Sequence, residues 1–199
     1  MTEATPPSRA LAFVARGLTL SRFVLLPAFL WLLYSADTHP RPPNRAALAG
    51  CYAFIALSDA LDGRLARRGR AATRRWARLD AAADISFNLS ALAAASHLGW
   101  MGPWVPGGVA LLGGRFLWRI AGDRGDSSAR VHEDRAGKTA GVLYYALVGW
   151  VVTELATGGV LGRRLLERGA DAVFGYTLLA LWLGRGSSSS RRGRITKST

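Results

Sequence analysis

Two pairs of aspartates stand out in this chain of 199 residues: Asp59 and Asp62, then Asp80 and Asp84. At about 100° per helical residue, the first pair lies roughly 60° apart and the second roughly 40° apart, so each pair occupies one helix face. Residues 58–67 read Ser-Asp-Ala-Leu-Asp-Gly-Arg-Leu-Ala-Arg, a basic run follows, and residues 79–84 read Leu-Asp-Ala-Ala-Ala-Asp. The short segment between the pairs predicts antiparallel neighbouring helices, with both pairs turned toward one another at one depth. Four carboxylates so placed repel. Divalent cations relieve that repulsion, and an all-oxygen set suits hard ions such as Mg²⁺ or Mn²⁺ better than zinc. Gly63, Ala66 and the alanines at 81–83 leave room beside the acids for a bulky ligand, and Arg67 is placed to meet a phosphate. A competing arrangement remains open, in which Asp59 and Asp62 pair with nearby arginines, Asp80 caps a helix and Asp84 supports its first turn.

The elements that carry these acids follow from composition. Half of the residues are hydrophobic, yet the formal net charge is +13. A disordered basic tail is not half apolar, and an ordinary soluble domain is not so basic, which leaves a basic nucleic-acid binder or a small polytopic membrane protein. Charge and apolarity are segregated along the chain. Residues 18–36, 46–61, 79–100, 104–120, 140–157 and 170–183 approach the roughly 17–25 apolar residues that a spanning helix needs. The second is interrupted by Asp59, and the sixth is short and opens on Asp171.

With both termini inside, the inner segments hold 19 of the 26 basic residues and the outer segments hold 5, with Arg22 and Arg115 inside spans. Such an excess marks the cytoplasmic side. The expected fold is therefore all-α: a polytopic membrane protein with six transmembrane helices and both termini cytoplasmic, with one domain over residues 1–184 and a basic disordered tail over 185–199. The lone Cys51 permits no disulfide framework and reads as a core residue. The apolar stretch after the basic N-terminus lacks a small-residue cleavage site and reads as a retained helix. The same spans argue against a soluble nucleic-acid binder, so no nucleic-acid partner is expected.

Written out, the acidic segment is Asp59-x2-Asp62-Gly63-x2-Ala66-Arg67-x8-Trp76-x3-Asp80-x3-Asp84. It resembles the signature of the CDP-alcohol phosphatidyltransferase family, D-x2-D-G-x2-A-R-x8-G-x3-D-x3-D, at seven of eight fixed positions. Residues 19–27, with Thr19-Leu20-Ser21-Arg22 and Pro27, also look like the first helix of bacterial members of phosphatidylglycerophosphate-synthase type. The resemblance implies six-helix membrane enzymes, often homodimeric, in a bacterial-type inner or cell membrane with the active site facing the cytoplasm. It assigns Asp59, Asp62 and Asp80 as metal ligands, with Asp84 near the metals and as general base. Gly63, Ala66, Arg67 and the position of Trp76 fall to the CDP-linked donor.

Trp76 departs from the pattern, because the family has a glycine there, associated with close approach to the cytidine nucleotide. Three outcomes are open: the indole turns outward as an interfacial anchor, stacks on the base, or blocks the site.

The reaction implied is transfer of a phosphatidyl group from CDP-diacylglycerol to a small alcohol acceptor, with release of CMP, at the lipid bilayer. Metal ions neutralise phosphoryl oxygens, and a carboxylate takes the proton of the attacking hydroxyl. Arg115 and Arg119 lie one turn apart, and Lys138 follows Gly137 near the start of the fifth span. They form either an anionic pocket, which favours glycerol 3-phosphate, or a set of cations snorkelling to headgroups. Gly137 and Gly141 read as a helix-packing pair, and Asn88 and Ser90 as partners of neighbouring helices. The rival reading keeps the fold without the reaction: a degenerate, non-catalytic family member, or a small transporter using the acids as an ion site.

Overall fold

A computed structural model describes residues 9–69, 74–122, 135–160 and 162–189. Six helices and no strand are found among them: α1 (Arg9–Thr38), α2 (Pro42–Gly69), α3 (Arg74–His97), α4 (Trp104–Gly122), α5 (Arg135–Thr157) and α6 (Arg163–Ser189). Each of the six apolar stretches lies largely within one helix, and the helices overrun most of them because charged residues extend the turns beyond the apolar face. The sixth gains most. α6 begins at Arg163, so Asp171 lies inside the helix, where its Oδ1 accepts a 2.8 Å hydrogen bond from the Trp104 indole. The helix also runs through Ser189, into the segment read as tail, and residues 190–199 lie outside the described ones.

Helix ends follow local chemistry. α2 opens on Pro42, whose missing N–H costs nothing in a first turn. α3 and α5 stop at glycines with positive φ, Gly99 at 78° and Gly158 at 81°. Gly158 and Gly159 both donate backbone hydrogen bonds to the Glu154 carbonyl, which closes the last turn of α5.

α1 packs against both α2 and α3; α5 contacts α1, α2, α3 and α6; α4 lies between α3 and α6. The expectation of direct α2–α3 pairing is thereby modified, since the main partner shared by the two acid-bearing helices is α1. The core joins Phe29 and Leu33 of α1, Ile55 of α2, Phe87 and Leu92 of α3 and Leu147 and Val151 of α5. Its aromatic centre is Phe29 on Phe87 and Phe87 on Tyr145, with ring centroids 5.1 and 5.5 Å apart.

Two glycines set interhelical approach. A Cβ on Gly113 would stand 2.6 Å from Ile85 Cγ2, and one on Gly149 would stand 2.7 Å from the Tyr52 hydroxyl oxygen. The close contact expected of Gly141 is not found. Gly137 and Gly141 both line a cavity, and a Cβ on Gly141 would meet nothing within 4 Å.

Among the described residues, one helix segment, Gly137–Thr157 of α5, is long and apolar enough to cross a membrane by length and composition. Asp59 on α2, Asp80 and Asp84 on α3, and the arginine-rich ends of these helices lower the apolarity of the acid-bearing pair.

Candidate active site

Arg22 organises the acids. It lies inside the apolar run of α1 and is 1% exposed. Its Nη2 sits 2.8 Å from Asp59 Oδ1 on α2, and its Nη1 sits 3.4 Å from Asp80 Oδ1 on α3. The same Nη1 donates to Asp84 Oδ1, one turn further along α3. One planar fork thus meets three carboxylates from two helices, a task for which the guanidinium is shaped and an ammonium is not. Asp80 lies beyond the first turn of α3 and not at a capping position, and Asp59 pairs with Arg22 of α1, while the side chains of the arginines near it in sequence lie outside the described residues. Asp80 is therefore no helix cap, and the local pairs of the competing arrangement rest on those side chains.

Arg22 was left unassigned by the motif, although an ionisable group within an apolar span was signal enough to single it out. Asp62, Gly63, Ala66 and Arg67 fall on the last turns of α2, and Trp76 on the first turn of α3, but their side chains lie outside the described residues. The side chain of Arg119, on α4, does too.

Beside the acids lies a cavity of about 540 Å³. Asp59, Ala81, Asp84 and Asn88 form part of its wall, with Arg115 and Phe116 from α4, and Gly137, Lys138, Gly141, Tyr144 and Tyr145 from α5. Two of the three cations expected at an anionic pocket, Arg115 and Lys138, therefore share one chamber with the carboxylates. Arg115 is steadied there by a 2.7 Å hydrogen bond from Nη1 to the Leu181 carbonyl of α6. Among the described residues Asn88 makes no hydrogen bond to a neighbouring helix. Its Nδ2 donates to the Asp84 carbonyl of its own helix at 2.9 Å.

The chamber thus sets acids against cations around a space large enough for a small ligand. Among the described residues, no three His, Cys, Asp or Glu side chains are gathered closely enough to hold a metal ion. The three acids are spread around a guanidinium, which is wider than a single ion. Their chemistry nevertheless fits one, because three carboxylates directed at a common positive centre are an all-oxygen donor set of the kind hard divalent cations take.

A family model described as CDP-alcohol phosphatidyltransferase matches residues 12–183, which takes in the acidic segment, Arg22 and the whole cavity wall. The chain belongs to the CDP-alcohol phosphatidyltransferase family. No curated protein and no solved structure matches it. CDP-alcohol phosphatidyltransferases transfer substituted phosphate groups in phospholipid synthesis, from a CDP-alcohol donor to an alcohol acceptor. They are membrane proteins and are generally dependent on divalent metal. A CDP-alcohol phosphatidyltransferase must hold a pyrophosphate, an alcohol and a base in one chamber, and acids facing cations across a cavity are suited to that.

Proposed function

We propose that the chain transfers the phosphatidyl group of CDP-diacylglycerol to glycerol 3-phosphate with release of CMP, as a phosphatidylglycerophosphate synthase does. The observation that carries this reading is the shared chamber: Asp59 and Asp84 on one part of the wall, Arg115 and Lys138 on another. A cationic wall attracts an acceptor that is itself a phosphate, whereas a neutral or zwitterionic alcohol gains less from it.

The acceptor hydroxyl loses its proton to Asp84 as its oxygen attacks the phosphorus of the phosphatidyl phosphate. The bond from that phosphorus to the bridging oxygen breaks, and the bridging oxygen leaves with CMP. Asp59, Asp62 and Asp80, with Asp84 beside them, would hold Mg²⁺ or Mn²⁺, which supplies neutralisation of the phosphoryl oxygens and of the leaving phosphate. Gly63, Ala66 and Arg67 of α2 take the CDP moiety, together with the position of Trp76 in the first turn of α3. Arg115 and Lys138, extended by Arg119, orient the acceptor phosphate so that its free hydroxyl points to the acids.

Six helices crossing the bilayer, with both termini and the chamber toward the cytoplasm, are supported by the 19-to-5 division of basic residues. Support also comes from exposed Trp31, Leu111, Trp118 and Trp182, large side chains that a bilayer solvates. The test is CMP release by purified protein given CDP-diacylglycerol and glycerol 3-phosphate, serine, inositol or inositol phosphate, with and without Mg²⁺ or Mn²⁺. Metal-dependent release with glycerol 3-phosphate is expected, and no release with any acceptor overturns the enzyme reading.

A further inference from the structure

A glycine inside a helix weakens it relative to alanine, so each one calls for a local reason. At Gly108, Gly113, Gly149 and Gly169 the reason is a neighbouring side chain: a Cβ would stand 3.0 Å from Phe174, 2.6 Å from Ile85, 2.7 Å from Tyr52 and 2.9 Å from Trp150. Gly141 of α5 has no such neighbour, since a Cβ there would meet nothing within 4 Å. Gly50 and Gly114 are equally free of contacts, but they do not line the chamber, and Gly141 does.

The direction in which Gly141 faces follows from its helix. Six residues of α5 line the chamber: Gly137, Lys138, Gly141, Val142, Tyr144 and Tyr145. At about 100° per residue, Gly137 and Tyr144 fall within about 60° of Gly141 on one side, and Lys138 and Tyr145 within about 60° on the other. Gly141 therefore stands at the middle of the face that α5 turns to the chamber, and a side chain there would project into its space. Gly141 is also exposed, so the room it leaves is reachable by a ligand. Along the axis, the bare patch runs from Lys138 to Tyr145, roughly 10 Å at 1.5 Å per residue. That is the scale of a small phosphorylated alcohol, with a cation at one end of the patch.

We propose that Gly141 determines the size of acceptor that the chamber admits, because the carbon frame of the acceptor lies against this bare patch while its phosphate lies toward Lys138 and Arg115. The proposal rests on the transferase reading above. A side chain at position 141 takes the volume of that frame. It leaves the CDP moiety alone, whose place is on the last turns of α2 and the first of α3. Added bulk in a fitted site discriminates against the larger of two ligands.

The test is the kinetics of CMP release by Gly141→Leu. KM for glycerol 3-phosphate rises at least about tenfold, and KM for CDP-diacylglycerol stays within about twofold. The smaller 2-hydroxyethyl phosphate, which keeps a phosphate and a hydroxyl, suffers less, so preference between the two acceptors shifts toward it at least about fivefold. Gly141→Ala adds only the Cβ. It raises the thermal unfolding midpoint by about 1–4 °C, because no neighbour must give way, and raises KM for glycerol 3-phosphate about two- to threefold; this variant carries the test should Gly141→Leu not fold. An unchanged KM for glycerol 3-phosphate in Gly141→Leu, or an equal rise in KM for donor and acceptor, overturns the proposal. A lower unfolding midpoint in Gly141→Ala, the mark of a packing contact, overturns it too. Use of a different acceptor whose KM is unmoved by Gly141→Leu overturns it while leaving phosphatidyl transfer intact, and no CMP release by wild type with any acceptor overturns both.

Discussion

Replacing Arg22 by Gln tests the charge arrangement at the acid cluster directly. The guanidinium is 1% exposed, while Asp59, Asp80 and Asp84 are each about two-fifths exposed. Removing one partner of a fully buried ion pair costs about 3–5 kcal/mol, whereas an exposed pair contributes about 0–1 kcal/mol. The acids keep part of their solvent, which places the loss between these limits, at about 2–3 kcal/mol. Gln retains one amide donor but neither the charge nor the fork, so the three carboxylates lose the guanidinium they share. Arg22→Lys restores the charge without the reach to two separated carboxylates, and recovers about half of the loss. Equilibrium unfolding of the protein in mixed detergent micelles, followed by circular dichroism, measures both. Millimolar Mg²⁺ or Mn²⁺ stabilises Arg22→Gln more than wild type, since the guanidinium no longer competes with the ion for the acids. Stability of Arg22→Gln within about 0.5 kcal/mol of wild type, or an equal metal effect on both proteins, would refute this account of the cluster.

Asp84→Asn keeps the shape of the side chain but cannot take a proton, and lowers kcat for CMP release at least about a hundredfold with little change in acceptor KM. Lys138→Gln raises KM for a phosphorylated acceptor about tenfold or more and leaves that for an uncharged polyol within about twofold; equal changes for both would remove Lys138 from the phosphate site. Gly113→Val places a Cβ against Ile85 on the facing helix, and costs about 1–3 kcal/mol of unfolding free energy, read in the same micelle assay. Extraction of the protein from membranes needs detergent; release by high salt alone would contradict a set of helices embedded in the bilayer.

Much of this arrangement is legible in the sequence because it is local. Asp80 and Asp84 share a face by spacing alone, and the apolar runs give six helices. The spacing of Asp59 and Asp62 likewise fixes their places on α2, and the run of basic residues marks the segment between the acid pairs. What is not legible is tertiary. Nothing in the neighbourhood of Arg22 says that α1 packs against both α2 and α3, so its service to three distant acids emerges only from packing. Gly137 and Gly141 have the spacing of a packing motif, yet spacing alone does not say whether a partner helix or a cavity stands opposite. Asn88 looked like an interhelical partner because an amide in an apolar run needs one, and its own helix supplied the carbonyl. Arg115 and Lys138 were legible as cations, but their sharing of a chamber with Asp59 and Asp84 depends on how α4 and α5 meet α3.

The position of Arg22 on α1 also bears on how the protein is made. It precedes Asp84 by 62 residues, which at about 5–20 residues per second is roughly 3–12 s of synthesis. The positive charge is therefore delivered before any of its three negative partners leave the ribosome. Acids that are costly to place in an apolar medium arrive where their counter-charge already waits. The N-terminal helix in this sense serves the biogenesis of the two that follow, and a chain shortened past Arg22 would have to insert those acids without it.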